Sequence, residues 1–457
     1  MTGSIDSLVR TILQSMPLGV RGRVSGLSGL TIEAVDLPLP TGALCRIQCA
    51  SGAVAHAEVV GFDGSCTLLM PLGSMSGISR GDAVEKISIA PRVWCCRNLL
   101  GRVLDGFGNP IDGKGALPRE ESRRIDGRGV AALERSPIRK PISTSVRSID
   151  ALHTCGLGQR MGIFSGPGVG KSTLLSQIAR HTSADVCVIA LIGERAREVQ
   201  EFIERALGPQ GMAKSVVIVS LSDDAPLLRV RAAKAACTIA EYFRDQGHHV
   251  LLLMDSLTRM AQAQRQIGLA AREPPATRGY PPSVFALIPE ILERAGNTPV
   301  GSITGFYTVL VEGDDFNEPI PDAVKGVTDG HLWLSRSLAN RGQFPAIDVM
   351  QSISRVRSDV VEAEQVRMAR RVISLLAVYQ DIEDLVNIGA YVPGASAEND
   401  LAVQMQPRII EFLRQEPTSP VTLAEASARL KELHQHIEQA ERTIHASRQA
   451  KTARRSG

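Results

Sequence analysis

The pattern of apolar and polar residues divides this chain into three regimes. Over residues 20–90, short β-rich runs at 30–35, 43–47, 57–62 and 67–70 are set off by Gly, Pro, Asp and Ser. Brief strands punctuated at that spacing predict a small all-β barrel or sandwich. Residues 91–130 are rich in Gly, Pro and Asp, with one strand at 101–104 and a turn cluster at 105–110. From about residue 140, continuous apolar runs (186–192, 215–221, 250–254) alternate with helical ones (199–206, 227–243). Strands that are apolar on both faces and alternate with helices predict a parallel sheet covered on both sides. Beyond about 360 the strand pattern stops, and 361–379 and 400–413 read as helices.

The ends add detail. The last helix opens on Thr422-x-x-Glu425, the spacing of a capping box, and carries Leu423, Leu430, Leu433 and Ile437. It runs into a polar, basic tail over 451–457 that is expected to fray. Near the start, Ile5, Leu8, Ile12 and Met16 line one helical face. That face suits an ordinary docking helix, or one that meets a partner or a membrane surface. Asp6 and Arg10 interrupt the only apolar stretch there, so no signal peptide is expected. No apolar run is long enough for a transmembrane helix.

Composition narrows the partners. In 457 residues, 51 Lys+Arg against 48 Asp+Glu leave a net charge of +3. That balance gives no support to nucleic-acid or membrane binding driven by charge. The eight Cys include no CxxC pair, and several sit in apolar runs. Buried free thiols in a reducing compartment are expected, with Cys95-Cys96 open to a redox role or to strand packing.

Residues 165–173 carry the first chemistry: Ser165, Gly166, Pro167, Gly168, Val169, Gly170, Lys171, Ser172 and Thr173. An apolar run precedes them and a helix-like run follows, which is the setting a phosphate-binding P-loop needs. The glycines let several backbone N–H groups converge on one anion. Lys171 can reach the β- and γ-phosphates, and Ser172 can offer its hydroxyl to Mg²⁺. Ser165 stands where the Gly-x4-Gly-Lys pattern has glycine. Asp255 closes the apolar run 250–254, so the strand delivers it to the edge of the sheet where the P-loop lies. There it can hold a Mg²⁺ water, or merely cap the next turn. Glu194 and Arg195 follow the run 186–192. Glu194 is placed to orient an attacking water and Arg195 to offset phosphate charge, although a solvated surface pair has the same spacing. Arg355 closes Ser-Ile-Ser-Arg, and arginine suits a bidentate phosphate contact.

Several longer motifs carry a resemblance. They are Arg102-Val-Leu-Asp-Gly-Phe-Gly-Asn-Pro-Ile-Asp-Gly113, the P-loop, Gly193-Glu-Arg-Ala-Arg-Glu198 and Asp255-Ser-Leu-Thr-Arg259. Arg278-Gly-Tyr-Pro-Pro-Ser283, Gly301-Ser-Ile-Thr304 and Val311-Glu-Gly-Asp-Asp-Phe-Asn-Glu-Pro319 complete the set. Over roughly residues 20–415 the chain resembles the ATPases of type III secretion systems, within the hexameric family that includes the catalytic subunits of rotary ATP synthases. The N-terminal Gly-Leu-Thr-Ile-Glu-Ala and Leu-Leu-Met-Pro-Leu resemble the flagellar branch.

The resemblance implies an α/β fold. A P-loop ATPase core (91–360) would follow an N-terminal helix (1–19) and a small β-barrel (20–90), and precede a helical domain with a basic tail (361–457). It implies that Lys171 and Ser172 bind phosphate and Mg²⁺, that Glu194 polarises the lytic water, and that Asp255 is the Walker B carboxylate. Arg195 and Arg259 resemble phosphate-side arginines. Arg355 resembles the finger that reaches a neighbour's γ-phosphate. Phe344 resembles the aromatic that packs on adenine, though an aromatic there also suits an apolar core. In the synthases the water-polarising Glu and the trans Arg belong to different chains. Here Glu194 and Arg355 occur together, which favours a homo-oligomeric ring, a hexamer.

The expected activity is Mg²⁺-dependent ATP hydrolysis that energises protein export, flagellar in first place. A virulence injectisome ATPase and an F-type ATP synthase catalytic subunit are the alternatives. A non-catalytic ring subunit is disfavoured by Glu194, and an RNA-translocating ring by the near-neutral charge. Expected partners are a stator-like regulator at the N-terminal helix, a central-stalk protein near Asp314-Asp315, export chaperones and substrates, and an export gate. No nucleic acid is expected. The expected location is the cytoplasm, at the inner face of the bacterial inner membrane.

Overall fold

The computed structural model describes residues 19–127, 129–311 and 318–455. Apart from Gly19, the helix predicted over 1–19 lies outside them, as does the Asp314-Asp315 loop. Six strands, Arg21–Ser28, Thr31–Val35, Leu44–Gln48, Val54–Asp63, Cys66–Pro71 and Ala83–Ser88, close into an antiparallel barrel. Val24, Ile32, Cys45, Ile47, Val59 and Val84 fill its interior. Of the two all-β forms the sequence allowed, the closed one leaves no free strand edge.

The core is a nine-stranded sheet. Eight strands run across it in order, Ile347–Ser354, Gly330–Leu334, Arg160–Ser165, Ser302–Leu310, His249–Asp255, Val186–Glu194, Ser215–Leu221 and Val103–Leu104, and the short ninth, Gly296–Asn297, pairs antiparallel with Ser302–Leu310 off this path. The strands from Gly330–Leu334 through Val103–Leu104 pair in parallel, so their C-terminal ends share one edge. The strand Val186–Glu194 shows why its sequence is apolar throughout. Val188, Ala190 and Ile192 face a core with helix Pro226–Asp245, while Cys187, Ile189 and Leu191 face one that includes Leu174 and Ile178 of helix Lys171–His181. The edge strand Ile347–Ser354 runs antiparallel to its neighbour. The sequence pattern predicted a parallel sheet, and such a mixed edge leaves no mark in local hydropathy.

Helices Ala363–Asn387, Ala397–Leu413 and Leu423–Arg455 follow. The capping box forms: the Thr422 N–H donates to Glu425 Oε2 at 2.8 Å, and the Glu425 N–H to Thr422 Oγ1 at 3.3 Å. The last helix runs through Arg455 where a frayed tail was expected. Residues 441–455 hold no Gly or Pro and are rich in Ala, Arg, Lys and Gln, all good helix formers. All eight cysteines are free thiols, and all but Cys66 are buried. Burial pushes the Cys95 thiol up to about 12, which makes it a packing residue and a poor nucleophile.

One buried ion pair ties the segment after the barrel to the core. Arg294, 1 % exposed, donates to both Glu241 carboxylate oxygens at 2.7 and 2.6 Å, to Ile125 O at 2.8 Å and to Thr238 Oγ1 at 2.8 Å. Breaking such a pair from one side leaves a buried charge uncompensated, at a cost of about 3–5 kcal/mol. Arg294→Met is therefore expected to lower the Tm by several degrees, measured by calorimetry, and Arg294→Met/Glu241→Met to recover most of the loss. Equal losses in the single and double variants would mean that the pair is not what holds this segment.

Candidate functional site

Strand Arg160–Ser165 enters the P-loop from the buried centre of the sheet, and helix Lys171–His181 leaves it. Between them Gly168 and Gly170 take φ of +78° and +87°, values open to glycine and strained for other residues. Val169 is buried and anchors the loop, while Ser172 and Thr173 are exposed at the helix start. No side chain caps that end. Its free N–H groups and the positive end of the helix dipole make an anion site. Ser165 is fully buried, and its hydroxyl finds no partner.

The parallel topology brings three charged groups to the same edge. Asp255 ends strand His249–Asp255 and Glu194 ends the adjacent Val186–Glu194, with Leu191 level with Asp255. Lys171 Nζ lies 2.5 Å from Asp255 Oδ1 and 3.8 Å from Glu194 Oε1. All three side chains are largely buried. Burial, then the Asp255 charge, pushes the Glu194 carboxyl up to about 7, against the opposing pull of Lys171. Gly193, at φ +71°, makes this delivery possible. A Cβ there would lie 3.0 Å from Arg259 Cβ in a backbone conformation that side chains avoid.

The structure separates the sequence-predicted arginines. Arg259 packs against Gly193, and its Nε is buried without a partner. Arg195 stays on the surface with its side chain 81 % exposed, 3.6 Å from Glu198. Arg355 is exposed and makes no side-chain hydrogen bond or ion pair among the described residues. It lies at the opposite end of the sheet from its own P-loop. Its N–H donates to Asp329 O, and the Asp329 N–H to Arg160 O, at the start of the strand whose far end enters the loop. A six-residue strand spans about 17 Å, too far for Arg355 to serve its own P-loop. Phe344 is at the correct end. It is 44 % exposed, and its ring lies 3.5 Å from where a Cβ on Gly170 would stand.

Two residues of this site escape sequence reasoning. Thr308 Oγ1 donates to Asp255 Oδ1 at 2.7 Å and fixes the carboxylate. Its strand also holds Ser302, Thr304 and Tyr307, so nothing local marks this hydroxyl among the others. Arg229 packs beside Gly193 with its Nε buried and unpartnered. Burial and the nearby Arg259 charge lower its pKa while Asp224 raises it. In sequence it is one of several basic residues on its helix. The donors near the P-loop suit Mg²⁺: they are a hydroxyl, Ser172, and a carboxylate, Asp255. Among the described residues no three His, Cys, Asp or Glu side chains cluster to cage a metal. Mg²⁺ needs no such cage, since it is held by one or two carboxylates together with substrate phosphates and water.

Comparison with known proteins shows the family. The ATP synthase alpha/beta family matches through its nucleotide-binding domain over residues 145–354 and its beta-barrel domain over 24–87. The type III secretion ATPase C-terminal domain matches 361–432. A flagellum-specific ATP synthase of Pseudomonas aeruginosa is 52 % identical over 91 % of this chain and 93 % of its own. A type 3 secretion system ATPase of Xanthomonas euvesicatoria is 46 % identical over 94 % and 97 %. The assembled ATPase EscN of the enteropathogenic E. coli type III secretion system superposes with a TM-score of 0.86 at 42 % identity, over 90 % of this chain and 100 % of that one. EscN in complex with its central stalk EscO gives 0.83 at 41 %, with the same coverage. The α/β ATPase fold and the resemblance read from the motifs are borne out: the chain belongs to the ATP synthase alpha/beta family, as an ATPase of the flagellum-specific and type III secretion kind.

Proposed function

We propose that the chain hydrolyses Mg·ATP at sites that a neighbouring copy completes, and that turnover energises protein export by a type III apparatus, the flagellar one. One observation carries the shared-site reading. Lys171, Asp255 and Glu194 meet at one end of the sheet, while Arg355 stands exposed and unpaired among the described residues at the other. In a ring, that second end presents Arg355 to the P-loop of the next copy.

The chemistry follows from the charges. The P-loop N–H groups and Lys171 take the β- and γ-phosphates, so Lys171 exchanges part of its contact with Asp255 for phosphate oxygen. Glu194 accepts a proton from the attacking water as its oxygen bonds to the γ-phosphorus and the bond to the β-bridging oxygen breaks, leaving ADP and phosphate. Arg259 and Arg229 face the departing phosphate from the Gly193 side. Exposed Arg195 and the neighbour's Arg355 offset the charge that builds on it. Phe344 offers its ring to the adenine. Ser172 and, through water, Asp255 would hold Mg²⁺, which neutralises phosphate charge when bound.

The barrel (20–90), the ATPase core (91–360) and the helical domain (361–457) are the working units of a homo-hexamer. EscN's complex with a central stalk supports such a partner here. A stator-like regulator at the N-terminal helix, export chaperones and substrates, an export gate and a cytoplasmic position against the inner membrane complete the reading. Among the described residues no helix is long and apolar enough to cross a membrane. The type III match of the C-terminal helices favours an export ATPase over a synthase subunit.

Two measurements test the site. Removing an arginine finger costs about 10³–10⁵ in turnover, so Arg355→Ala should keep ATP binding and lose nearly all hydrolysis. Mixed one to one with Glu194→Gln, it should regain activity at about one interface in four. No recovery in the mixed rings would refute action in trans. The second measurement is a pH profile. With Glu194 at about 7 in the free protein, and the carboxylate as the active form, kcat/KM should rise with pH through that value. Glu194→Gln should retain a small, pH-flat rate, and an unaltered limb in that variant would assign the titration elsewhere.

A further inference from the structure

Gln415 lies just past helix Ala397–Leu413, distant in sequence from every residue of the phosphate site, and is 7 % exposed. Its carboxamide is fully engaged. Oε1 accepts the Arg147 N–H at 2.7 Å, while Nε2 donates to Ser145 O at 2.8 Å and to Ser419 O at 2.9 Å. Its backbone N–H donates to Phe344 O at 2.9 Å. Gln415 also lines a cavity of about 440 Å³ with Ile410, Glu411, Arg414 and Glu416.

Arg147 seals the same junction. Its guanidinium is buried and forms no salt bridge among the described residues; burial and the Arg429 charge lower its pKa, against the weaker pull of Glu411. Its partners are the carbonyls that close helix Ala397–Leu413: Nε donates to Phe412 O at 2.5 Å, and Nη2 to Glu411 O and Arg414 O. Cation and helix C-terminus compensate each other. Ser145 O also accepts Gln177 Nε2, from helix Lys171–His181, at 3.3 Å. The contacts close a circuit from Gly170 and the P-loop helix through Gln177, Ser145, Gln415 and Phe344 back to Gly170.

We infer that Gln415 is a positioning residue that sets the base-binding aromatic Phe344 from the start of the segment after helix Ala397–Leu413. This rests on the reading of Phe344 as the adenine contact. The triphosphate arm is one step removed from Gln415: Lys171 and the loop N–H groups bind it, and among the described residues the Gln415 side chain bonds to Arg147, Ser145 and Ser419 and to none of those groups.

The two halves of ATP therefore separate in a test on the full-length assembled protein. Gln415→Met keeps the volume and removes three hydrogen bonds. It should raise KM for ATP about tenfold with a much smaller change in kcat, while inhibition by inorganic tripolyphosphate stays within about twofold. Equal weakening of ATP and tripolyphosphate, or no change in either, would overturn the proposal. Should Gln415→Met fail to accumulate folded, Gln415→Asn, which keeps the amide but withdraws it by one methylene, is read by the same ratio. Phe344→Ala separates the two readings. If it leaves the ATP-to-tripolyphosphate ratio unchanged, the adenine assignment fails. If it shifts the ratio and the Gln415 variants do not, the positioning role fails.

Discussion

The site depends on one cation held between two carboxylates. Asp255 and Glu194 end adjacent strands, and without Lys171 their charges would repel across a largely buried edge. Lys171 at 2.5 and 3.8 Å relieves that repulsion unequally. Asp255 holds the closer contact and a hydroxyl from Thr308, and Glu194 is left with a raised pKa. On the proposed reading the two carboxylates divide the work: Asp255 is the fixed anchor, and Glu194, with its raised pKa, is the one that takes a proton. Triphosphate entering the P-loop competes for the same lysine, so binding substrate and reorganising the acid–base pair are coupled.

A second constraint comes from the edge strand Ile347–Ser354. Phe344 precedes it, beside the P-loop, and Arg355 follows it at the far end of the sheet. On the proposed reading, one segment touches the nucleotide of its own chain at one end and offers an arginine to the neighbour at the other. The antiparallel direction of this strand is what places the arginine there; a parallel strand would have returned Arg355 to the edge that carries its own P-loop. The Gln415 junction adds the C-terminal helices to the same segment through Phe344.

Much of this was legible in the chain itself, because the relevant signals are local. The P-loop is contiguous, and Asp255 and Glu194 announce themselves as carboxylates ending apolar runs. What stayed hidden is non-local. Thr308 matters only because its strand pairs beside that of Asp255, and one hydroxyl among several in a buried strand does not advertise its neighbour. Arg229 looks like any basic residue in the first turn of a helix until Gly193 is packed against it. Arg355 could be named from its motif, but which end of the sheet it occupies follows from strand direction, and periodicity does not encode that. The final helix was misjudged at its end because polarity was read as disorder, where helix propensity persists to Arg455.

The central claim is that no single chain holds a complete catalytic site. The most direct measurement is steady-state ATPase rate per chain against protein concentration at saturating Mg·ATP, with assembly followed in parallel by light scattering. The account predicts a rate near zero for the dilute monomer that climbs with the fraction of assembled chain. A rate per chain that stays flat from monomer to ring would contradict it.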